Sequence, residues 1–467
     1  MADRNASPRS GREAATRALA EAAARFPDLP PSTLNTAGLS PAEAGLALAI
    51  HRTTLRRWLT LEHLVGRFVK QPMWRLQPAM RAVLLAGATQ LLFMDRLPAY
   101  AVVDEMVDLA RRLVRPKAAA MVNGVLRNVS RLVARNADDE PWTPGRDRLP
   151  WYADTASAHP ATIHLKQPLL PEPADLPAHL ALATSMPEGM VRQWLEAFDQ
   201  AQAVELCLHG LKLAPTIVAV EPGFDAGAEP GAGQGDLSRP ASEALYREHA
   251  RAGFLVWQGS HDELTAFLAA DPRRRVQDPA SAEPIAALHD LRFTTVLDYC
   301  AGRGTKTRQL AALRPGARLI ATDLNADRLA ELAPAAAGLP NIAIQPIDDA
   351  KQQLAGGVDL LLLDVPCSNT AVLARRPEAR YRLTRKAMLN LQELQRRIVR
   401  DALPTLAPQG HILYSTCSVD PGENQQQARW IAKQTGGQIV TEHQTLPAGV
   451  GATYHDGSYH ALIATTS

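Results

Sequence analysis

The chain has 467 residues, of which 46% are hydrophobic and 21% are charged. This length exceeds what one hydrophobic core normally organises, so two or three domains are expected. No apolar run approaches the roughly 18 residues that a membrane-spanning helix needs, and the amino-terminal segment lacks the apolar centre of a signal peptide. We therefore predict a globular, cytoplasmic protein without a membrane partner.

The net charge is only +2, but it is unevenly distributed along the chain. Residues 1–137 contain 20 Lys and Arg against 10 Asp and Glu, which leaves the remainder acidic. A basic first third favours a polyanionic partner such as nucleic acid, although a solvated helical surface rich in Arg is the alternative. A second basic stretch, residues 375–386, directly follows one of the motifs described below.

The same first third shows apolar residues at helical spacing, broken by Pro and Gly. Ser40, Pro41 and Glu43 have the pattern of a helix start with a capping box. We predict a helical bundle over residues 1–140. Residues 136–155 are polar and rich in Pro, which indicates a linker.

The middle of the chain gives mixed signals. A helix is predicted at 187–198, strands at 215–220 and 252–260, and a Gly/Pro/Ala-rich loop at 222–236. We predict that 141–285 comprises the linker and a small α+β domain that binds RNA, and that 286–467 forms the catalytic domain.

After residue 290, apolar strands alternate with helices. This alternation predicts a doubly wound, Rossmann-like α/β domain with a parallel sheet, whose ligands lie at the carboxyl ends of the strands. The predicted strands lie in residues 293–299, 317–323, 341–347, 358–365 and 410–416.

The first of these strands is followed by a glycine loop. Gly302 and Gly304 allow a tight turn and a close approach of the backbone to a ligand. Lys306 and Thr307 hint at a phosphate-binding P-loop, but Thr305 stands where that motif needs Gly. A P-loop is therefore not favoured.

Acidic residues follow the second and third strands. Asp323 lies 19 residues after Gly304, where a carboxylate can accept hydrogen bonds from both hydroxyls of a ribose. Asp349 is placed to receive an adenine amino group, with Asp348 as its neighbouring rival, although either residue could simply cap the next helix. These acids predict a cofactor that contains a nucleoside.

The four cysteines are Cys207, Cys300, Cys367 and Cys417. Their spacing favours neither a disulfide framework nor a metal site. Cys367 and Cys417 each follow a predicted strand, so the two thiols can face one pocket at the edge of the sheet. A single buried cysteine is commonly structural, but two at strand ends favour chemistry.

Thiols at this position suit chemistry on a pyrimidine. Carbon 5 of a pyrimidine is a poor nucleophile until a thiolate adds to carbon 6, and a carboxyl group at nitrogen 3 stabilises the charge that develops. One cysteine, one acid such as Asp364 and a nucleoside-linked methyl donor make a complete set.

Several motifs carry a family resemblance. The segments at 297–307, 321–325, 361–383, 413–425 and 455–463 resemble those of RNA (cytosine-5)-methyltransferases that use S-adenosylmethionine, and 274–281 resembles the segment before their catalytic domain. The helical third is similar to the NusB-like RNA-binding domain. This combination resembles the Sun/Fmu branch, which methylates small-subunit ribosomal RNA in bacteria.

The resemblance implies roles for individual residues. It implies Cys417 as the nucleophile, Cys367 as an aid to product release, Asp364 at the base and Lys306 near the reaction centre. In the related DNA enzymes the nucleophile follows the proline, at the position of Cys367, so the presence of both cysteines favours the RNA class. The implied cofactor contacts are Cys300, Ala301, Gly302, Arg303, Gly304, Thr305, Lys306, Asp323, Asp349 and Asp364.

The chain also departs from the family pattern. Residues 301–306 read Ala-Gly-Arg-Gly-Thr-Lys where the family usually has Ala-Ala-Pro-Gly-Gly-Lys, and Asn369 and Ala371 stand where it usually has Gly. The expected partner is small-subunit ribosomal RNA, bound by a monomer without metal. The alternatives are a transfer RNA substrate, or a NusB-like RNA-binding protein whose methyltransferase domain has decayed. The altered glycine loop favours decay, whereas the intact cysteines and Asp364 oppose it.

Overall fold

The computed structural model describes residues 7–31, 34–94, 97–220 and 244–466. It divides into two compact units: a helical unit, Met1–Leu213 with Leu373–Thr384, and a sheet unit, Ala214–Val372 with Arg385–Ser467. The loop predicted at 222–236 lies outside the described residues. The predicted division into three domains, with boundaries near residues 141 and 286, is finer than this division into two units and stays a prediction. No described helix is both long and apolar enough to cross a membrane.

The helical unit begins with six helices, which confirms the predicted bundle. They are α1 (Gly11–Arg25), α2 (Pro41–Arg56), α3 (Trp58–Gly66), α4 (Pro78–Phe93), α5 (Ala99–Leu113) and α6 (Ala118–Val129). At the start of α2, the Ser40 hydroxyl accepts a hydrogen bond from the Glu43 amide at 3.3 Å, as a capping box requires. The Glu43 carboxylate, however, accepts from the amide of Gly11 at the start of α1. The second half of the predicted box therefore ties two helices together.

The segment after α6 corrects the predicted linker. Here β1 (Val133–Pro141) and β2 (Arg148–Trp151) both pair antiparallel with β3 (Ala161–Leu165). The prolines Pro141 and Pro150 suggested a linker, but both lie on the outer strands of this sheet, where a missing amide donor is tolerated. The helical unit continues with α7 (Leu176–Thr184), α8 (Glu188–Ala197) and α9 (Gln200–His209).

The sheet unit begins with the predicted small α+β part. Its elements are β4 (Ile217–Ala219), β5 (Tyr246–Glu248), β6 (Phe254–Trp257), α10 (His261–Ala269), β7 (Arg275–Val276) and α11 (Pro279–Ala286). The four strands pair antiparallel in the order β5-β6-β4-β7. The apolar core of this part includes Val218, Leu255, Trp257 and Phe267.

The larger sheet has seven strands. They and the helices around them are β8 (Thr295–Asp298), α12 (Thr305–Leu313), β9 (Arg318–Ala321), α13 (Ala326–Ala336), β10 (Ile342–Ile344), α14 (Ile347–Gln353), β11 (Val358–Asp364), α15 (Arg385–Ala402), β12 (Leu406–Thr416), α16 (Gln425–Thr435), β13 (Gln438–Thr445) and β14 (Ser458–Ala464). The strands lie in the order β10-β9-β8-β11-β12-β14-β13. The five predicted strands are parallel, which confirms the Rossmann-like class. The sheet is nevertheless mixed, because β14 runs antiparallel to β12 and β13 pairs antiparallel with β14, and the sequence did not predict these two strands.

The strand order reverses at β8. The chain runs outward from β8 to β9 and β10, then returns to place β11 on the other side of β8. In open α/β sheets, such a reversal opens a crevice at the carboxyl ends of the strands. The parallel register brings Asp298 of β8 beside Leu362 of β11, and Asp364 beside Ser415 of β12. Polar residues of three strands therefore meet at this edge.

Candidate active site

The turn between β8 and α12 has a conformation that only glycine fits at one position. Gly304 has a φ of +76°, in the left-handed region. A Cβ atom there would lie 2.0 Å from Leu332 Cδ1. The turn is therefore tight, as the sequence predicted, and passes close to Leu332, while the close approach to a ligand stays a prediction.

Asp323, directly after β9, holds the same turn. Its Oδ2 accepts a hydrogen bond from the Gly302 amide at 3.0 Å, and its Oδ1 accepts from the Asn325 amide at 2.8 Å. A carboxylate has about four acceptor positions, so two remain for a ligand. The geometry fits the predicted contact with ribose hydroxyls, and that role stays a prediction.

The other predicted members of the turn differ in what they contact. The Ala301 amide donates to the Thr322 carbonyl at 2.8 Å, and the exposed Arg303 side chain pairs with Glu331 of α13 at 2.5 Å. Thr305 is the first residue of α12. Burial, reinforced by nearby carboxylates, raises the pKa of Cys300 well above the ordinary value, so this thiol is protonated.

An open pocket of about 480 Å³ lies between β10 and α14. It is lined by Gln345, Asp349, Gln352 and Gln353. Asp349 and its rival Asp348 both lie exposed in the first turn of α14. The Gln345 Oε1 atom is buried and has no hydrogen-bond partner among the described residues. Such an acceptor fits an amino group such as that of adenine, and sequence reasoning missed it because an isolated Gln carries no motif.

Lys306 and Asp364 form an ion pair at the edge of the sheet. The Lys306 Nζ atom donates to Asp364 Oδ2 at 2.7 Å, while the Ser415 hydroxyl donates to Asp364 Oδ1 at 2.8 Å. Burial alone would lower the pKa of Lys306, but the neighbouring Asp364 carboxylate outweighs it and raises that pKa. The pair therefore holds an ammonium group and a fixed carboxylate side by side.

The two predicted reactive thiols meet. Cys367 Sγ and Cys417 Sγ lie 3.2 Å apart, and the Cys417 thiol donates to Asn369 Oδ1 at 3.3 Å. All four cysteines are free thiols. The hydrogen bond with Cys417, together with burial, raises the pKa of Cys367 well above its ordinary value. The structure thus brings together Cys367, Cys417, Asp364 and Lys306 in one unit, while the roles assigned to them stay predictions.

A buried carboxylate that sequence reasoning missed holds both thiol loops. Glu423 accepts hydrogen bonds from the Ser368 amide at 3.0 Å, from the Ser418 hydroxyl at 2.6 Å and from Gln395 Nε2 at 3.0 Å. Ser368 and Ser418 directly follow the two cysteines. Burial raises the pKa of Glu423. Glu423 lies inside the segment 413–425 that carries the family resemblance, but its contact with Ser368, 55 positions away, left no signal in the sequence.

Asp298 is a further buried acid at the end of β8. Its Oδ2 accepts a hydrogen bond from the Thr307 hydroxyl at 2.6 Å. Burial raises the pKa of Asp298 to about 7, and the neighbouring Asp364 carboxylate adds to this effect. Asp298 therefore changes its charge near neutral pH.

The basic stretch at 375–386 is not a single charged surface. The fully buried Arg380 donates to the Gly210 carbonyl at 2.7 Å and to the Thr184 carbonyl at 3.3 Å. The Tyr381 hydroxyl donates to the Leu55 carbonyl at 2.6 Å. These residues hold the segment Leu373–Thr384 inside the helical unit, so its charge was a misleading signal. Within the described ranges, no cluster of three or more His, Cys, Asp or Glu could hold a metal ion.

The fold and the site define the class of the protein. A Rossmann-like sheet with an acid after β9, an open pocket at α14 and paired thiols at the ends of β11 and β12 fits a group-transfer enzyme that uses a nucleoside-containing cofactor. A family model described as 16S rRNA methyltransferase RsmB/F matches residues 286–457, and a NusB family model matches residues 9–131. Residues 9–131 are thus similar to the NusB family, and residues 286–457 are similar to the RsmB/F family of RNA methyltransferases. This family depends on S-adenosylmethionine, which confirms the predicted cofactor.

Curated relatives extend the match over nearly the whole chain. The ribosomal RNA small subunit methyltransferase B of Erwinia tasmaniensis is 28% identical and covers 90% of this chain and 90% of its own length. The protein of the same name from Serratia proteamaculans is also 28% identical, over 84% of this chain and 85% of its own. Both parts of the chain therefore occur together in relatives of the same organisation.

One solved structure has the same overall fold. The crystal structure of PH0851 superposes with a TM-score of 0.69 at 18% identity, covering 97% of this chain and 98% of its own. At this level of identity the likeness concerns the fold alone. It agrees with the helical and Rossmann-like parts described above.

Proposed function

We propose that this methyltransferase modifies carbon 5 of a cytosine in ribosomal RNA of the small subunit, through a covalent adduct with Cys417. The observation that carries the proposal is the pair of thiols 3.2 Å apart beside an acid held by two donors. The names of the curated relatives support the choice of ribosomal RNA. We expect the enzyme to act in the cytoplasm as a monomer without metal.

Cys417 is the proposed nucleophile. Its thiolate adds to carbon 6 of the base, and the electron pair of the carbon 5–carbon 6 double bond moves toward nitrogen 3. S-adenosylmethionine, when bound, supplies the electrophilic methyl group that carbon 5 needs. The residues that would hold it are Asp323 and the turn at 300–304, with Asp349 and Gln345 at the adenine end.

Asp364 and Lys306 are proposed to act on the ring. The Asp364 carboxyl group is held by Ser415 and Lys306, which supports its proposed role at nitrogen 3. As charge develops there, a proton held between Asp364 and Lys306 passes to nitrogen 3 and neutralises it. The raised pKa of Lys306 supports this role, because it keeps the proton in the pair at neutral pH.

Cys367 is proposed to act in the last step. Once carbon 5 carries the methyl group, its proton must leave so that the double bond can form again and expel the Cys417 sulfur. The raised pKa of Cys367 keeps it a thiol at rest, so it accepts that proton only after its own proton has passed to solvent, and the thiolate formed in this way is a strong base. As the double bond forms again, nitrogen 3 returns its proton to the pair of Asp364 and Lys306. The released Cys417 thiolate completes the cycle.

The experiment separates the two thiols. Each single variant is incubated with methyl donor and small-subunit ribosomal RNA, and the complex that survives denaturing electrophoresis is quantified. We expect Cys417→Ala to form no adduct and to lose methylation by more than about a thousandfold, because the nucleophile is gone. We expect Cys367→Ala to accumulate the adduct, because the attack proceeds and the release stalls.

The matched control is Cys207→Ala, since Cys207 is a buried thiol of the helical unit, remote in sequence from the site. It should methylate as the unaltered protein does. A stable adduct in Cys417→Ala with none in Cys367→Ala would reverse the two roles. Bisulfite sequencing of the product RNA checks that the modified base is a cytosine, and transfer RNA is the comparison substrate.

A further inference from the structure

The residue at 369 departs from its family and has an unusual backbone. Asn369 stands where the resembled enzymes usually have Gly, and its φ is +61°. The left-handed region costs a residue with a Cβ atom roughly 1 kcal/mol or more, and Asn bears this cost best because its side chain can bond locally. The Asn369 side chain makes such a local bond, to the carbonyl of Cys367.

The Asn369 side-chain amide bridges the two thiol loops. Its Nδ2 atom donates to the Cys367 carbonyl at 3.0 Å, which fixes the orientation of the amide. Its Oδ1 atom then points to Cys417 and accepts from that thiol at 3.3 Å. The two loops are also joined by the Ala371 amide, which donates to the Cys417 carbonyl at 3.1 Å.

This bridge sets the direction of the hydrogen bonds between the thiols. A thiol carries one hydrogen, so when Cys417 donates to Asn369 it cannot donate to Cys367 as well. The contact of 3.2 Å between the two sulfur atoms is then made by the Cys367 hydrogen, which points at the Cys417 sulfur. Asn369 thus leaves Cys367 as the donor to Cys417.

We propose that Asn369 is a positioning residue that holds the Cys417 thiol protonated and aimed until a substrate displaces the contact. The inference rests on the proposed role of Cys417 as the nucleophile. A hydrogen-bond acceptor stabilises the neutral thiol relative to the thiolate, whereas the Cys367 hydrogen stabilises the thiolate. Asn369 and Cys367 therefore act on Cys417 in opposite senses.

The test measures the thiol itself and needs no RNA. Full-length protein is treated with iodoacetamide across a pH series, and alkylation of Cys417 is followed by peptide mass spectrometry. Asn369→Gly keeps the backbone conformation and removes only the amide. We expect its alkylation midpoint to fall by roughly half a pH unit, since the S–H hydrogen bond that is lost is a weak one.

For a second variant, we expect the alkylation midpoint of Cys417 to move in the opposite direction. Asn369→Asp keeps an acceptor near Cys417 but adds a negative charge, which opposes formation of the thiolate. Its midpoint should rise by about half a unit or more. If the substitutions only loosened the loop around residue 369, both variants would be alkylated at a changed rate, but their alkylation midpoints would not move in opposite directions. The backbone control is Gln409→Gly, because Gln409 also has a left-handed φ, +62°, and is exposed.

The methylation assay completes the test. We expect Asn369→Gly to lower kcat about tenfold with an unchanged KM for RNA, because the thiol is no longer aimed. An alkylation midpoint in Asn369→Gly that equals that of the unaltered protein would overturn the inference. If the midpoints move as expected while Cys417→Ala still methylates RNA, the positioning of the thiol by Asn369 stands and the proposed nucleophile fails.

Discussion

For each ionisable residue at the strand ends, burial and the charges of neighbouring groups together decide whether the side chain is charged. Burial favours the neutral form of Asp298, Cys300 and Cys367, and their pKa values are raised. Lys306 differs because its partner Asp364 outweighs burial. The result is a site with one persistent ion pair among groups that are neutral at mildly acidic pH.

Asp298 provides a test of this balance through stability. The unfolded chain releases this proton near pH 3.8, whereas the folded chain keeps it until about pH 7. The unfolding free energy should therefore fall as pH rises from about 4 to 7, by a few kcal/mol at most. Asp298→Asn should remove this part of the slope in urea denaturation measured at pH 5 and at pH 8.

The control for that measurement is Asp359, whose pKa is lowered although burial opposes this, because Thr294 and Thr295 donate hydrogen bonds to it. Asp359→Asn should lose about the same stability at pH 5 as at pH 8, because a pKa lowered from 3.8 affects stability only below about pH 4, and so leave the slope between these two pH values unchanged. Equal slopes in Asp298→Asn and in the unaltered protein would contradict the raised pKa of Asp298.

The sequence predicted part of this site. The sequence predicted that four residues lie close together, because each comes at or after the end of an apolar strand and parallel strands end at one edge of the sheet. These residues are Cys367, Cys417, Asp364 and Lys306. Asn369 was noticed only as a departure from a pattern. Glu423 was missed, although it lies in a motif segment, because its role depends on burial and on Ser368, 55 positions away. Gln345 was missed because an isolated Gln carries no motif.

Whole elements were predictable where burial imposed a pattern. The five parallel strands of the large sheet contain apolar runs, since helices cover both faces of a parallel sheet. β13 escaped prediction because most of its residues are exposed, which leaves no apolar run or clear alternation. The strands at 133–151 were hidden in the same way by prolines and charges that edge strands tolerate.

The turn between β8 and α12 gives a prediction about stability and cofactor affinity. Gly304→Ala should lower both the thermal midpoint and the affinity for S-adenosylmethionine, because a methyl group would collide with Leu332 and Ala is strained at a φ of +76°. The expected loss of stability is roughly 1 to 3 kcal/mol. Calorimetric titration and thermal melts measure the two effects.

The matched control is Gly316→Ala, because no atom lies within 4 Å of a Cβ at that position. It should leave the cofactor affinity unchanged. An unaltered affinity in Gly304→Ala as well would show that the turn does not contact the cofactor, and the proposed role of residues 300–304 would be lost.

At the scale of the whole molecule, the charge of the first third needs a correction. Arg56, Arg57 and Arg81 are buried, so part of the excess positive charge does not reach the surface. Burial, with Arg56 and Arg380 nearby, lowers the pKa of Arg57 to about 9. Other basic residues are exposed, among them Arg115 and Lys117 between α5 and α6, and Arg131 after α6.

These exposed residues give a prediction for RNA binding. The double variant Arg115→Ala/Lys117→Ala should weaken binding and reduce the slope of log affinity against log salt by roughly 1 to 2, because fewer counterions are released. The control is Arg292→Ala/Arg318→Ala, which removes the same charge at the amino ends of β8 and β9. Equal slopes in both double variants would show that the helical bundle contributes only a solvated surface.

The segment Leu373–Thr384 has a consequence for how this enzyme can be divided or recombined. The chain leaves the sheet unit four residues after Asn369, enters the helical unit, and returns at Arg385. A gene fragment that encodes only the carboxyl-terminal domain would carry Arg380 and Tyr381 without the carbonyls of Gly210 and Leu55 that they need. The two halves are therefore expected to be inherited and exchanged together, as a single module with one interleaved piece.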